Sequence, residues 1–182
     1  MSEITIRSAA PEDVPTILRF IRELAEFERE PDAVKATEAD LLRDGFGDER
    51  RFEVRLGFVD GVAGGFTLFF PTYSTWEGRP GLWLEDLYVT PSARRVGLGR
   101  ALVCDVAAIA VARGFRRLDL SVLDWNPARG FYEAIGVRRL EQWLQYRATG
   151  PALEALAAQA AGAIAATSRS ETTRLRPARL AE

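Results

Sequence analysis

The sequence predicts an α/β fold: a mixed central sheet with helices on both faces, in a single domain. Three observations predict it. The hydrophobic period switches between strand and helix in the order β-α-α-β-β-β-α-β-α-β. A helical stretch stands between two apolar strands, Leu84–Val89 and Arg117–Leu123, and such a crossover makes its strands parallel neighbours. At 182 residues and 47% apolar content, the chain is long enough for one sizeable core.

The elements follow in order. Glu3 to Arg7 alternates as a strand does. Pro11 to Glu30 places Val14, Ile17, Leu18, Ile21 and Leu24 on one helical stripe. Thr37 caps a second short helix, with Asp40 three residues on completing a capping-box-like pair and Gly45 ending it. Phe52–Val59 and Val62–Phe70 are strands joined at Asp60-Gly61, a strong hairpin signal. Pro71 to Gly81 reads as a polar loop. Gly99 to Arg113 is an amphipathic helix ended by Gly114. Asn126-Pro127 opens a short helix through Ala134, since proline suits a first turn. Val137 to Arg147 reads as a further strand and Ala152 to Ala165 as an alanine-rich helix. The expected domain covers 1–166, and 167–182 is expected to be a disordered tail because it is polar and lacks a period.

Composition excludes several classes. There is no histidine, so no Ser-His-Asp or Cys-His unit exists within the chain, and the usual zinc ligands are missing. No metal is expected. The net charge of −2 carries no basic field, so nucleic acid is not an expected partner. Cys104 is the only cysteine, on a helix without a histidine to activate it, and reads as structural. No apolar run reaches the length that spans a bilayer, and the N-terminal MSEITIRSAA lacks the marks of a signal peptide. The cytoplasm is the expected location, with no membrane partner.

The chemistry concentrates in LEDLYVTPSARRVGLGRAL, residues 84–102. Leu82, Trp83, Leu84, Leu87, Tyr88 and Val89 make a strand apolar on both faces. Glu85 and Asp86 interrupt it, and an unpaired carboxylate there would cost several kcal/mol, about the usual burial penalty. A cation, a water-lined cleft or a hydrogen-bond cage must compensate. Alternation sends adjacent strand residues to opposite faces, so the two acids are not expected to serve one site in the same way. The following Arg94-Arg95-Val96-Gly97-Leu98-Gly99 opens a helix, where small residues let backbone N–H groups approach an anion. An acidic site beside a phosphate cradle points to a phosphorylated carrier and a cationic acceptor.

These residues resemble the GNAT acetyltransferase superfamily, whose carrier loop follows Arg/Gln-x-x-Gly-x-Gly/Ala, matched by Arg94, Gly97 and Gly99. Within it, the chain resembles the spermidine/spermine (diamine) and thialysine N-acetyltransferase branch. Four blocks carry that likeness: ATEADLLRDGFGD at 36–48, GFTLFFPTYSTWEG at 65–78, LEDLYV at 84–89 and DWNPARGFYEAIG at 124–136. The likeness runs from about Ile4 to Leu156.

The resemblance implies a GNAT-like fold, acetyl-CoA as cosubstrate, a small primary amine as acceptor (polyamine, diamine or lysine-like amino acid) and a homodimer. It implies that Leu87, Tyr88 and Val89 present backbone to the pantetheine arm. The loop with Arg94, and Arg95, Val96, Gly97, Leu98, Gly99 and Arg100, would cradle the diphosphate. Asn126, Pro127 and Ala128 would meet the carrier on its other side. Tyr132 matches the proton donor to the departing thiolate, and Glu85 the acid that takes the amine's proton. Phe27, Glu28, Glu85, Glu141 and the strand edge Asp119, Leu120 and Ser121 match substrate-contacting positions, and whether Glu85 or Asp86 is the base stays open. This chain departs from the pattern in three places: Phe27 stands where a tyrosine is usual, Arg95 replaces a glycine, and the stretch from Asn126 to Tyr132 is one residue shorter than in the animal enzymes.

The chemistry agrees with this. An amine with a pKa of about 10.4 is protonated at neutral pH and cannot attack a thioester, so an acidic pocket and a proton acceptor are needed. Two alternatives stand beside this reading: a GNAT enzyme acting on a protein or antibiotic amine, and a non-catalytic acyl-CoA-binding sensor. The presence of both Glu85 and Tyr132 weighs against the sensor. Trp125 and Trp143 read as packing or interface residues.

Overall fold

In the computed structural model, which describes residues 2–160, strand β1 (Ile4–Ser8) leads through a 3-10 turn at Pro11–Asp13 into helix α1 (Val14–Phe27). Helix α2 (Glu38–Phe46) follows, then strands β2 (Glu53–Val59), β3 (Val62–Ser74) and β4 (Arg79–Val89). Helix α3 (Leu98–Ala112), strand β5 (Leu118–Leu120) and helix α4 (Ala128–Ala134) complete the order. The five strands form one sheet in sequence order, antiparallel except for the parallel pair β4–β5. The mixed α/β architecture is the one expected.

Both faces of the sheet are covered. Val14, Ile17, Leu18 and Phe20 of α1 and Leu41 of α2 pack on Val54, Leu56, Phe66, Leu68 and Tyr88. On the opposite face Val103, Val106 and Ala110 of α3 meet Phe69, Leu82 and Leu84, while Leu98 and Leu102 are fully buried nearer the helix start. Local chemistry sets the connections. Asp60 and Gly61 both have positive φ, 49° and 79°, as a two-residue turn between right-twisted strands requires. The Thr37 hydroxyl accepts from the Asp40 N–H at 3.2 Å while the Asp40 carboxylate accepts from the Thr37 N–H at 3.0 Å, a reciprocal cap on α2.

Three expectations are corrected. The loop expected over 71–81 shrinks to a turn at 75–78: β3 and β4 continue on either side of it, paired from Pro71↔Leu82 to Ser74↔Arg79. Proline is tolerated because β2 pairs with β3 only as far as Phe69, so no ladder needs the N–H that Pro71 lacks. The strand expected over 117–123 shrinks to Leu118–Leu120, because β5 pairs only with Leu82, Trp83 and Leu84. Residues 137–147 form no strand despite their composition. Leu140, Trp143, Leu144 and Tyr146 are exposed, and strand-like residues without a ladder partner do not hold a strand conformation.

The chain divides into two compact units, Met1–Arg138 and Arg139–Glu182, and the sheet belongs to the first. In the second, residues 151–160 are helical; the rest of the helix expected to Ala165, and the tail at 167–182, lie outside the described residues. No helix among the described residues is long and apolar enough to cross a membrane.

Candidate active site

Two irregularities in β4 make the site. Its pairing with β5 stops at Leu84↔Leu120, although β4 runs on to Val89, so the two strands part and leave the rest of the β4 edge open. At the same point the register with β3 shifts: Leu84 faces Phe69 and Asp86 faces Leu68, with Glu85 bulged out between them. A cavity of about 560 Å³ fills the gap. Its walls come from the end of α1, from β4, from the loop opening α3, from the end of β5 and from α4.

The loop wall is a run of backbone built for an anion. Gly97 has φ +98° and stands immediately before α3, a conformation in which a side chain would be strained. The first intrahelical bond is Ala101 N–H to Gly97 O, so the N–H groups of Leu98, Gly99 and Arg100 have no partner inside the helix. Gly99 borders the cavity, and a Cβ built there would come no closer than 3.6 Å to the protein. Protein packing therefore does not demand this glycine, whose bareness leaves space on the cavity side. Arg94 donates from Nε to the Val89 carbonyl at 3.0 Å, tying the loop to the last residue of β4. These features fit the diphosphate of a CoA thioester at the helix mouth, with its extended arm along the open β4 edge.

The bulge corrects the expectation that Glu85 and Asp86 take opposite faces. Asp86 lies opposite Leu68, which packs against α1, and Glu85 accepts a 2.6 Å hydrogen bond from Trp83 Nε1, whose cross-strand partner Phe70 also joins the α1 side. Both acids are thus on one side. Glu85 is exposed and borders the cavity together with Glu28 from the end of α1, while Asp86 is partly buried behind them and outside the wall. Burial, and then the charges of Glu85 and Glu28, push the Asp86 carboxyl up to about 7. Burial also raises Glu28.

The Asp86 shift has a stability consequence with a definite sign. The folded pKa exceeds the unfolded value of about 3.9, so between pH 4 and 7 the native state binds more protons than the unfolded one. This contribution is present in acid, is lost as pH rises across that window, and stays lost above pH 7. Asp86→Asn is expected to remove most of the slope and to be more stable than the parent protein at pH 8. Denaturant titrations at pH 5 and pH 8 check this, and a parent curve that is flat across the window contradicts it.

Tyr132 faces this acidic wall from α4. Burial first, and the Glu28 charge second, push its phenol up to about 12, so it is a neutral O–H donor at any working pH. Its ring is held edge-on to Phe131 at 5.1 Å between centroids. Asn126 is buried, its Oδ1 accepting from the Ala128 N–H at 2.9 Å and its backbone O from the Arg129 N–H, which fixes the turn into α4.

The structure thus gathers nearly all the residues singled out in the sequence. Phe27, Glu28, Glu85, Leu87, Tyr88, Val89, Arg94, Arg95, Gly97, Leu98, Gly99, Arg100, Leu120, Ser121, Asn126, Pro127, Ala128 and Tyr132 all border the one cavity. Val96 does not: it lies between Arg95 at φ +65° and Gly97 at φ +98°, and its side chain is exposed. Asp119 does not either, because its carboxylate is held by Arg117 at 2.7 Å. Glu141 belongs to the second unit.

One feature beside the wall had no signal in the sequence. Trp125 lies 6.3 Å from the Phe27 ring, the Arg29 guanidinium sits 4.4 Å from the Trp125 ring centre, and that of Arg94 sits 5.3 Å from the Phe27 ring centre. Arg29 closes α1 with φ +67°, while the Glu30 N–H bonds back to the Ala25 carbonyl. Glycine normally takes this position. A non-glycine residue there costs about 1–3 kcal/mol, which a cation–aromatic contact of about 0.5–1 kcal/mol offsets in part.

Residues 17–137 match the model of the acetyltransferase (GNAT) family. The chain is a GNAT acetyltransferase. It is 38% identical to the thialysine N-epsilon-acetyltransferase of Bos taurus, over 86% of this chain and 99% of that protein. It is 35% identical to the human spermidine/spermine N(1)-acetyltransferase-like protein 1, over 81% of this chain but only 23% of that longer protein. Among solved structures, an integron cassette protein from the mobile metagenome of V. cholerae superposes with a TM-score of 0.70 at 26% identity, covering 85% of this chain and 97% of that one. This GNAT enzyme is an acetyl-CoA-dependent N-acetyltransferase.

Proposed function

We propose that this enzyme acetylates the terminal primary amine of a small, linear cationic molecule: a diamine, a polyamine or a lysine-like amino acid. The observation that carries the reading is the acidic wall. Glu28 and Glu85 border the cavity with Asp86 behind them, and among the described residues the side chains of Glu28, Glu85 and Asp86 form no ion pair with a lysine or arginine. An ammonium guest neutralises such a group best. Identity to a thialysine acetyltransferase over nearly its full length supports the same class.

In this reading acetyl-CoA lies with its diphosphate at the N–H groups of Leu98, Gly99 and Arg100 and its thioester beside Tyr88. Glu85 takes a proton from the ammonium through water. The freed amine attacks the thioester carbon, and a backbone N–H on the open β4 edge near Tyr88 holds the developing oxyanion. The C–S bond breaks, and Tyr132 gives its proton to the departing thiolate while the amide nitrogen loses its second proton to solvent. No acyl-enzyme forms. A homodimer belongs to the same reading and is checked by light scattering.

A steady-state screen across spermidine, thialysine, lysine and lysine-containing peptides tests the substrate class. Turnover of at least one of the free small amines well above the peptides is expected. Turnover confined to peptides overturns it.

A further inference from the structure

The column Arg29–Trp125–Phe27–Arg94 joins three elements that are far apart in sequence: the end of α1, the turn before α4 and the carrier loop. Each end is secured. Arg94 is tied to the Val89 carbonyl at 3.0 Å, and Arg29 holds a left-handed cap on α1 that glycine would occupy without strain. Trp125 itself is 39% exposed, so burial does not hold its ring. It is absent from the cavity wall, yet its neighbours on either side of the column are in it: Phe27 and Glu28 at the end of α1, Asn126 in the turn before α4 and Tyr132 in α4 itself.

We infer that Trp125 is a positioning residue: packed against both Phe27 and Arg29, it sets the gap between the end of α1 and the α4 turn, and so restricts the acceptor slot to slim, unbranched amines. This rests on the small-amine reading above. Without the indole, nothing in the column spans from the end of α1 to the turn before α4, and the wall bearing Glu28 is free to move away from the wall bearing Tyr132. Misplacement of an acceptor by about 1 Å costs as much as 10²-fold in rate. The carrier grip at the α3 mouth is made by other residues and stays intact.

The test compares Trp125→Ala, Trp125→Phe and Arg29→Ala with the parent enzyme on an unbranched diamine and on a diamine branched beside the reacting nitrogen, with CoA affinity measured by calorimetry. Alanine at 29 keeps the backbone strain and removes only the cation. Trp125→Ala is expected to raise KM for the unbranched diamine about tenfold and to narrow its preference over the branched one. Arg29→Ala should shift both in the same direction by a smaller factor, Trp125→Phe should recover most of the loss, and CoA affinity should change less than about threefold. Equal losses for acceptor and CoA without rescue by phenylalanine mean a merely structural tryptophan and overturn the inference. If Trp125→Ala does not fold, Arg29→Ala decides: an unchanged acceptor KM and preference overturn it. If the parent enzyme turns over only peptides, the substrate class fails separately, and the same variants are judged on peptide KM, where no rise overturns the positioning role.

Discussion

Tyr132→Phe is expected to lower kcat about 10²-fold while leaving acetyl-CoA affinity within about threefold, the range for loss of a general acid that acts only in the transition state. The substitution isolates the hydroxyl. The ring sits among Phe131, Ile135 and the α3 side of the core, and phenylalanine preserves that packing. The proton matters because a thiolate must leave. A phenol raised to about 12 by burial and by Glu28 keeps its proton until the leaving group demands it. Single-turnover rates with bound acetyl-CoA check the prediction directly. An unchanged rate removes Tyr132 from the chemistry.

Glu85→Gln is expected to lower kcat/KM about 10²-fold at pH 7, with the deficit shrinking as pH rises toward 10. The direction follows from the acceptor. An amine of pKa about 10.4 is free in only about one molecule in 10³ at pH 7, so without a proton relay the rate climbs with the free-amine fraction. Glutamine keeps the size of the side chain and an oxygen for the Trp83 N–H, now at 2.6 Å from Glu85, so the bulge is expected to persist. A pH–rate profile superimposable on that of the parent enzyme shows that the proton is taken elsewhere, Asp86 being the adjacent carboxylate.

Much of the site was legible because its parts are local. Gly97 announces a left-handed residue at a helix mouth, and the helix that follows a strand delivers that mouth to the sheet's carboxyl edge whatever the rest of the chain does. Tyr132 lies six residues after Asn126, and the short helix between them brings both to the wall of the same cavity. The alternation rule failed at Glu85 and Asp86, where it placed the two acids on opposite faces. A bulge depends on the partner strand, on Leu68 and Phe69 being offset against Leu84 and Asp86, and no property of LEDLYV alone records it. Pro71 masked a strand for a similar reason: it is forbidden inside a sheet and harmless where β2 has already ended.

Short-range chemistry therefore settled the elements themselves. The Asp60-Gly61 turn, the Thr37–Asp40 cap, the apolar stripe of α1 and the anion-ready start of α3 each follow from residues within a few positions of one another. Contacts between distant segments settled the rest: where β5 lets go of β4, which way Glu85 turns, and that Trp125 reaches Phe27. A turn or a cap is decided by the torsions and hydrogen bonds of its own few residues. A gap between two strands is decided by where two distant segments stop matching, which exists only once the chain has folded.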